Sequence, residues 1–202
     1  MIQTTQRPKA GLLSFSVICA ICIAVAYLIN WLFGQKSLVT IALDGEPLIS
    51  QITWGTTFGI SIALAVGIPL VIGTVYLPTF AQLRSQLVEL AERVDFSGLN
   101  PLWISMFAGL GEEVLFRGAI QPAIGLWWAS VVFVLLHSGT YQLRSLNWKK
   151  AVMATLVFAV SLLLGYIFLH FGLLAAIITH VTLDVVALFG LQWLVLKYGP
   201  NT

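Results

Sequence analysis

Residues 11–33 read GLLSFSVICAICIAVAYLINWLF, a run without a single Asp, Glu, Lys or Arg. About twenty apolar residues are enough to cross the hydrocarbon core of a bilayer as a helix. The run is longer than the core of a signal peptide, and no small-x-small cleavage site follows it, so it reads as a retained transmembrane helix. Further along the chain, residues 52–77, 102–123, 126–143, 151–171 and 173–196 form five more apolar runs. The sequence therefore predicts an all-α, polytopic membrane helix bundle of about six transmembrane helices, with residues 1–202 as a single integral membrane domain. Pro69 lies inside the second run and predicts a kink there.

Composition supports this class. Hydrophobic residues make up 59% of the chain and charged residues only 9%, with a mean hydropathy of +0.96. A soluble domain carries roughly a quarter charged residues. So few charges cannot cover a water-facing surface, and lipid is the expected solvent. The formal net charge of +2 comes with no basic stripe, which excludes nucleic acid as a partner. Cys19 and Cys22 sit in the first apolar run and read as small apolar side chains.

Loop charges orient the bundle. Arg7 and Lys9 precede the first run. Arg84 and Arg93 lie between the second and third, Arg144, Lys149 and Lys150 between the fourth and fifth, and Lys197 follows the sixth. With six spans these segments share one side, and the loops of the other side hold only Lys36. The positive-inside rule then puts both termini in the cytoplasm. Trp31, Trp103, Trp127, Trp128, Trp148 and Tyr198 fall at predicted helix ends, where interfacial aromatics belong. Residues 79–96 are polar, with Leu83, Leu87, Leu90 and Val94 at helical spacing, and predict a short cytoplasmic amphipathic helix. The simplest role for it is to pack on the end of the bundle.

Six ionisable side chains interrupt the later runs: Glu112, Glu113, Arg117, His137, His180 and Asp184. A charge at a helix centre costs at least about 2.5–3.5 kcal/mol on insertion scales, so these groups should face the bundle interior. Glu113 and Arg117 are four apart and share a helix face, which predicts a structural ion pair. Glu112 points about a hundred degrees away and is free to face another helix. His180 and Asp184 are also four apart, so the carboxylate can orient the imidazole. Gly109, Gly111 and Gly118 flank the acidic pair and let helices approach closely. A carboxylate and imidazoles meeting in a dry site form an arrangement for activating water. Three carboxylates against one arginine leave an excess of two negative charges if all ionise. Protonation of a carboxyl, cationic histidines or a divalent metal would each restore the balance.

At these residues the chain resembles a known family. Glu112-Glu113-Val114-Leu115-Phe116-Arg117 is similar to the EExxxR motif of the CPBP family, the CAAX proteases and bacteriocin-processing proteins also called Abi. Phe133-Val134-Leu135-Leu136-His137 resembles its FxxxH motif. His180-Val181-Thr182-Leu183-Asp184 resembles its third motif, His followed four residues later by Asn or Asp. All three occur in order, and residues 102–196 form the CPBP-like catalytic core.

The resemblance implies an intramembrane endopeptidase in a bacterial inner or thylakoid membrane. Its catalytic set would be Glu112 as general base, assisted by His137, with His180 and Asp184 steadying the oxyanion. A peptide or membrane protein would be the substrate. The family is often called metalloprotease, and a divalent metal such as zinc would fall to Glu112, His137 and His180. The absence of HExxH favours a site without tightly bound metal. Two other classes share these features: a non-proteolytic scaffold or assembly subunit of a larger membrane complex on the same fold, and a proton or ion carrier. The intact motifs favour the enzyme over the scaffold. Short length and the lack of inverted repeats argue against the carrier.

Overall fold

The computed structural model describes residues 9–138 and 148–199, and helices account for nearly all of them. We number the helices in chain order. α1 is Leu12–Leu32 and α2 is the short Leu38–Leu43. α3 is Leu48–Tyr76, with a π turn inside it at Ala63–Gly67. α4 is Ala81–Ala91. α5 runs continuously over residues 100–124, with a π turn at Phe116–Ile120. α6 is Leu126–His137, α7 is Trp148–Phe171 and α8 is Leu173–Tyr198. No strand occurs among the described residues; a lone bridge joins Ala10 to Val94.

Four of these helices are long and apolar enough to cross a membrane: α1, α3, residues 153–171 of α7, and α8. The protein is thus a helical membrane bundle. Of the remaining two predicted spans, α5 carries Glu112, Glu113 and Arg117. α6 has 12 described helical residues, about 18 Å at 1.5 Å per residue, against a hydrocarbon core of about 30 Å. Residues 139–143 of that predicted span, and the basic residue Arg144, lie outside the described residues. The outer surface is apolar, as a lipid-facing surface must be: Trp31, Trp103, Trp127, Trp128 and Tyr198 all stand exposed.

Both π turns precede a proline. A proline ring collides with the carbonyl four residues back and has no N–H to offer it. Widening the turn resolves both problems: Ile68 donates to Ala63 just before Pro69, and Gln121 donates to Phe116 just before Pro122. The second turn leaves the Gly118 carbonyl free, and Asn30 Nδ2 of α1 donates to it at 3.0 Å. Proline and the π turn thereby set the helix phase in the stretch that holds Arg117.

Helices meet through glycines. A Cβ at Gly111 would lie 2.9 Å from Cys19 Cα, and one at Gly109 would lie 2.6 Å from Val181 Cγ2. α5 is therefore clasped between α1 and α8 just before the acidic pair. α3 packs on α8 in the same way at Gly55 and Gly59. Small residues are what let membrane helices gain close contact where lipid tails already satisfy the hydrophobic effect.

The amphipathic helix is shorter than the predicted 79–96. α4 ends at Ala91 because Asp95 takes the Ser97 N–H at 3.0 Å in a local turn, and Gly98 then turns the chain at φ +53°. Such a side-chain turn competes with helix continuation. α4 packs on the bundle end through Val88, against Val75 and Leu194.

Candidate active site

α5 and α6 form a hairpin around Gly125, whose φ of +84° suits a residue without a Cβ. Phe116 and Phe133, at matching distances from the turn, pack edge to face with ring centroids 4.7 Å apart. One turn of helix further on, Glu112 Oε2 lies 3.4 Å from His137 Nε2. The hairpin thus brings the first two motifs to one depth. α8, clasped against α5 at Gly109, adds the third: His180 Nε2 stands 4.0 Å from Glu112 Oε2 and 3.5 Å from Asp184 Oδ2.

The side chains form an inner and an outer layer. Glu113 and Arg117 are fully buried, with Arg117 Nε donating to Glu113 Oε2 at 3.1 Å. The His180 side chain is only 9% exposed, whereas Glu112, His137 and Asp184 are 21–32% exposed. The structure brings Glu112, His137, His180 and Asp184 together and sets the Glu113–Arg117 pair behind them.

Sequence spacing did not reveal one contact. Glu113 Oε1 lies 2.8 Å from His180 Nδ1, so the carboxylate bridges Arg117 and His180. Facing a guanidinium, this carboxylate is an acceptor, which puts the proton on His180 Nδ1. His137 has the same arrangement with a different acceptor: its Nδ1 donates to the Phe133 carbonyl at 2.8 Å, while its ring stacks on the Phe133 ring at 4.1 Å. One residue thus fixes both the tautomer and the ring plane of His137. In both histidines Nδ1 is committed to the protein and Nε2 is turned toward Glu112.

The geometry allows a water molecule beside Glu112 to be deprotonated, with imidazole Nε2 atoms on either side. Among the described residues, no three His, Cys, Asp or Glu side chains are disposed to hold a metal ion. Two cavities lie elsewhere. One of about 640 Å³ opens at the far end of the bundle, lined by Lys36, Asp44, Gln121 and His170 among others. Another of about 390 Å³ runs beside α4. None of the four clustered residues lines either; Glu112, His137 and Asp184 form the partly exposed outer face of the cluster.

Fold and site together define a polytopic helical membrane protein with a glutamate–histidine cluster built around a buried ion pair. Residues 96–186 match the model of the family described as type II CAAX prenyl endopeptidase Rce1-like, in agreement with the CPBP resemblance of the three motifs. The chain is also 35% identical over 86 residues to the uncharacterized protein YpbD of Bacillus subtilis (strain 168). That match covers 42% of this chain and 42% of the relative, less than half of either. No solved structure matches the chain.

Proposed function

We propose that this protein is an intramembrane endopeptidase of the CAAX-protease type. Glu112 is its general base, and His137, His180 and Asp184 complete the catalytic set. The observation that carries the reading is that Glu112 Oε2 lies 3.4 Å from His137 Nε2 and 4.0 Å from His180 Nε2, within the segment that matches the Rce1-like family. A water hydrogen-bonded to Glu112 and to His137 Nε2 gives its proton to the carboxylate. Its oxygen bonds to the carbonyl carbon of the scissile peptide. The resulting oxyanion is met by His180 Nε2–H in the imidazolium form, since Nδ1 is already committed to Glu113. Asp184, 3.5 Å from Nε2, stabilises that cation, a role an ionised aspartate can fill although it has no hydrogen to donate. The C–N bond breaks as Glu112 returns its proton to the leaving amine. The substrate is a peptide or membrane protein whose cleavage site reaches this outer face of the cluster. Both termini are assigned to the cytoplasm by the loop charges.

The test is Glu112→Gln in the full chain. General-base loss lowers the rate by about 10²–10⁴-fold, so cleavage should fall at least a hundredfold while the protein still folds. Mass spectrometry of proteins accumulating in the variant strain would identify the substrate. Undiminished proteolysis by Glu112→Gln would remove the base assignment. A stable stoichiometric partner with no turnover in the parent protein would replace the enzyme with the scaffold.

A further inference from the structure

The three motifs lie on α5, α6 and α8. α7 carries none of them, yet it supplies two partners to the innermost part of the cluster. The buried guanidinium of Arg117 is held on all three nitrogens: Nε by Glu113 at 3.1 Å, Nη2 by Ser161 Oγ at 3.0 Å and Nη1 by Gln121 Oε1 at 3.3 Å. Gln121 in turn donates Nε2 to the Gly165 carbonyl at 3.1 Å. Ser161 and Gly165 are four apart on α7 and so share a face. Ser161 is fully buried and Gln121 is nearly so.

Arg117 is fully buried, so the acceptors supplied by the protein fix the guanidinium plane. A single acceptor would leave the guanidinium free to pivot. Acceptors on three nitrogens, drawn from two helices, do not. The plane of Arg117 sets Glu113 Oε2, and Glu113 Oε1 then sets His180 Nδ1 at 2.8 Å.

We propose that Ser161 and Gly165 of α7, together with Gln121, are positioning residues for His180, acting through Arg117 and Glu113. The proposal rests on the protease reading for its kinetic consequence, but not for its structural one. Gly165 provides the sharper test. A Cβ there would lie 2.6 Å from Gln121 Oε1 and 3.3 Å from Arg117 Nη1, and would crowd Leu126 Cδ1. All of these atoms are far ends of flexible side chains rather than backbone. An alanine can therefore enter by displacing the Gln121 amide and the guanidinium, with the helices still packed. A glycine that served only close packing would, on substitution, cost stability and leave His180 alone.

The experiment uses the full chain in lipid nanodiscs with nitrogen-15 in its histidines, assigned through His137→Gln and His170→Gln. Ser161→Ala and Gly165→Ala should both shift the His180 ring-nitrogen resonances and populate a second ring state. Ser161→Thr, which keeps the hydroxyl, should return the parent spectrum. Unchanged His180 resonances in both alanine variants would overturn the proposal, whatever the activity. In a peptide-cleavage assay kcat should fall about 10- to 100-fold, the scale of a small misplacement far from the chemistry, at unchanged KM. A loss seen only in KM would also overturn it. If Glu112→Gln kept full proteolysis, the base assignment would fall while the histidine spectra still decided the positioning role.

Discussion

Glu113 shows how far residue spacing can be read. Its i,i+4 relation to Arg117 predicts a pair on one helix face, and the two side chains do meet in full burial. The reach to His180 spans two helices, and no spacing within one helix encodes it. The energetic expectation is asymmetric. Arg117→Leu takes the guanidinium away from the fully buried Glu113 carboxylate, leaving it His180, and should destabilise by about 3–5 kcal/mol, because breaking one half of a buried pair costs more than replacing both. The double substitution Glu113→Gln with Arg117→Met should recover much of that loss, with the amide oxygen still able to accept from His180 Nδ1. Thermal unfolding in detergent measures both. An Arg117→Leu protein that melts with the parent would show that the pair does not support the fold.

Among the elements, α3 and α8 depend on a glycine seam. A Cβ at Gly55 would come within 2.8 Å of the Ala175 carbonyl oxygen and 3.0 Å of its Cα. These are backbone atoms that cannot step aside. Thr179 also donates to the Gly55 carbonyl at 3.2 Å. Gly55→Val should therefore cost about 1–3 kcal/mol or more through overpacking, and parent-like stability would contradict the seam. α4 presents the opposite case. Its apolar stripe was legible in sequence, but its end was not, since the turn at Asp95 depends on one side-chain hydrogen bond. Replacing Val88 with Asp should release α4 from Val75 and Leu194, seen as faster hydrogen exchange across residues 81–91 with α8 still protected. The Ser97 backbone N–H holds the Asp95 carboxyl below the usual carboxylate range. A depressed carboxyl stabilises above its unfolded value and stops doing so as pH falls through the folded one. Exchange at the Ser97 amide should consequently rise only under acid conditions, below that ordinary range.

Across the whole molecule the two ends differ in charge. One end gathers the start of α1 and Val94, through the Ala10 bridge, with Arg84 donating to the Tyr198 hydroxyl at 3.2 Å. Lys197 lies over the Tyr76 ring at the same end, 4.0 Å from its centroid. The other end gathers Lys36, Asp44, Pro122 and His170 around the larger cavity, with Lys36 and Asp44 paired. Among the described residues, Arg84, Arg93 and Lys197 thus share an end. Reporter fusions at Leu43 and Lys149 should report opposite sides of the membrane, with the basic end facing the cytoplasm. The same side for both would break the six-span topology.

Composition and apolar run length determined that this chain is a helical membrane bundle, because a backbone in hydrocarbon must satisfy its own hydrogen bonds and so few charges cannot face water. Spacing determined the local pairings, Glu113 with Arg117 and His180 with Asp184, because helical periodicity fixes which side chains share a face. Tertiary structure alone decided which faces meet. The turn at Gly125 sets Glu112 against His137, the π turn before Pro122 fixes the phase of Arg117, and α7 brings Ser161 to a guanidinium 44 positions away in sequence. Those contacts depend on glycines that admit close helix approach and on the register between helices. Both are properties of the packed bundle, and no single segment of the chain carries them.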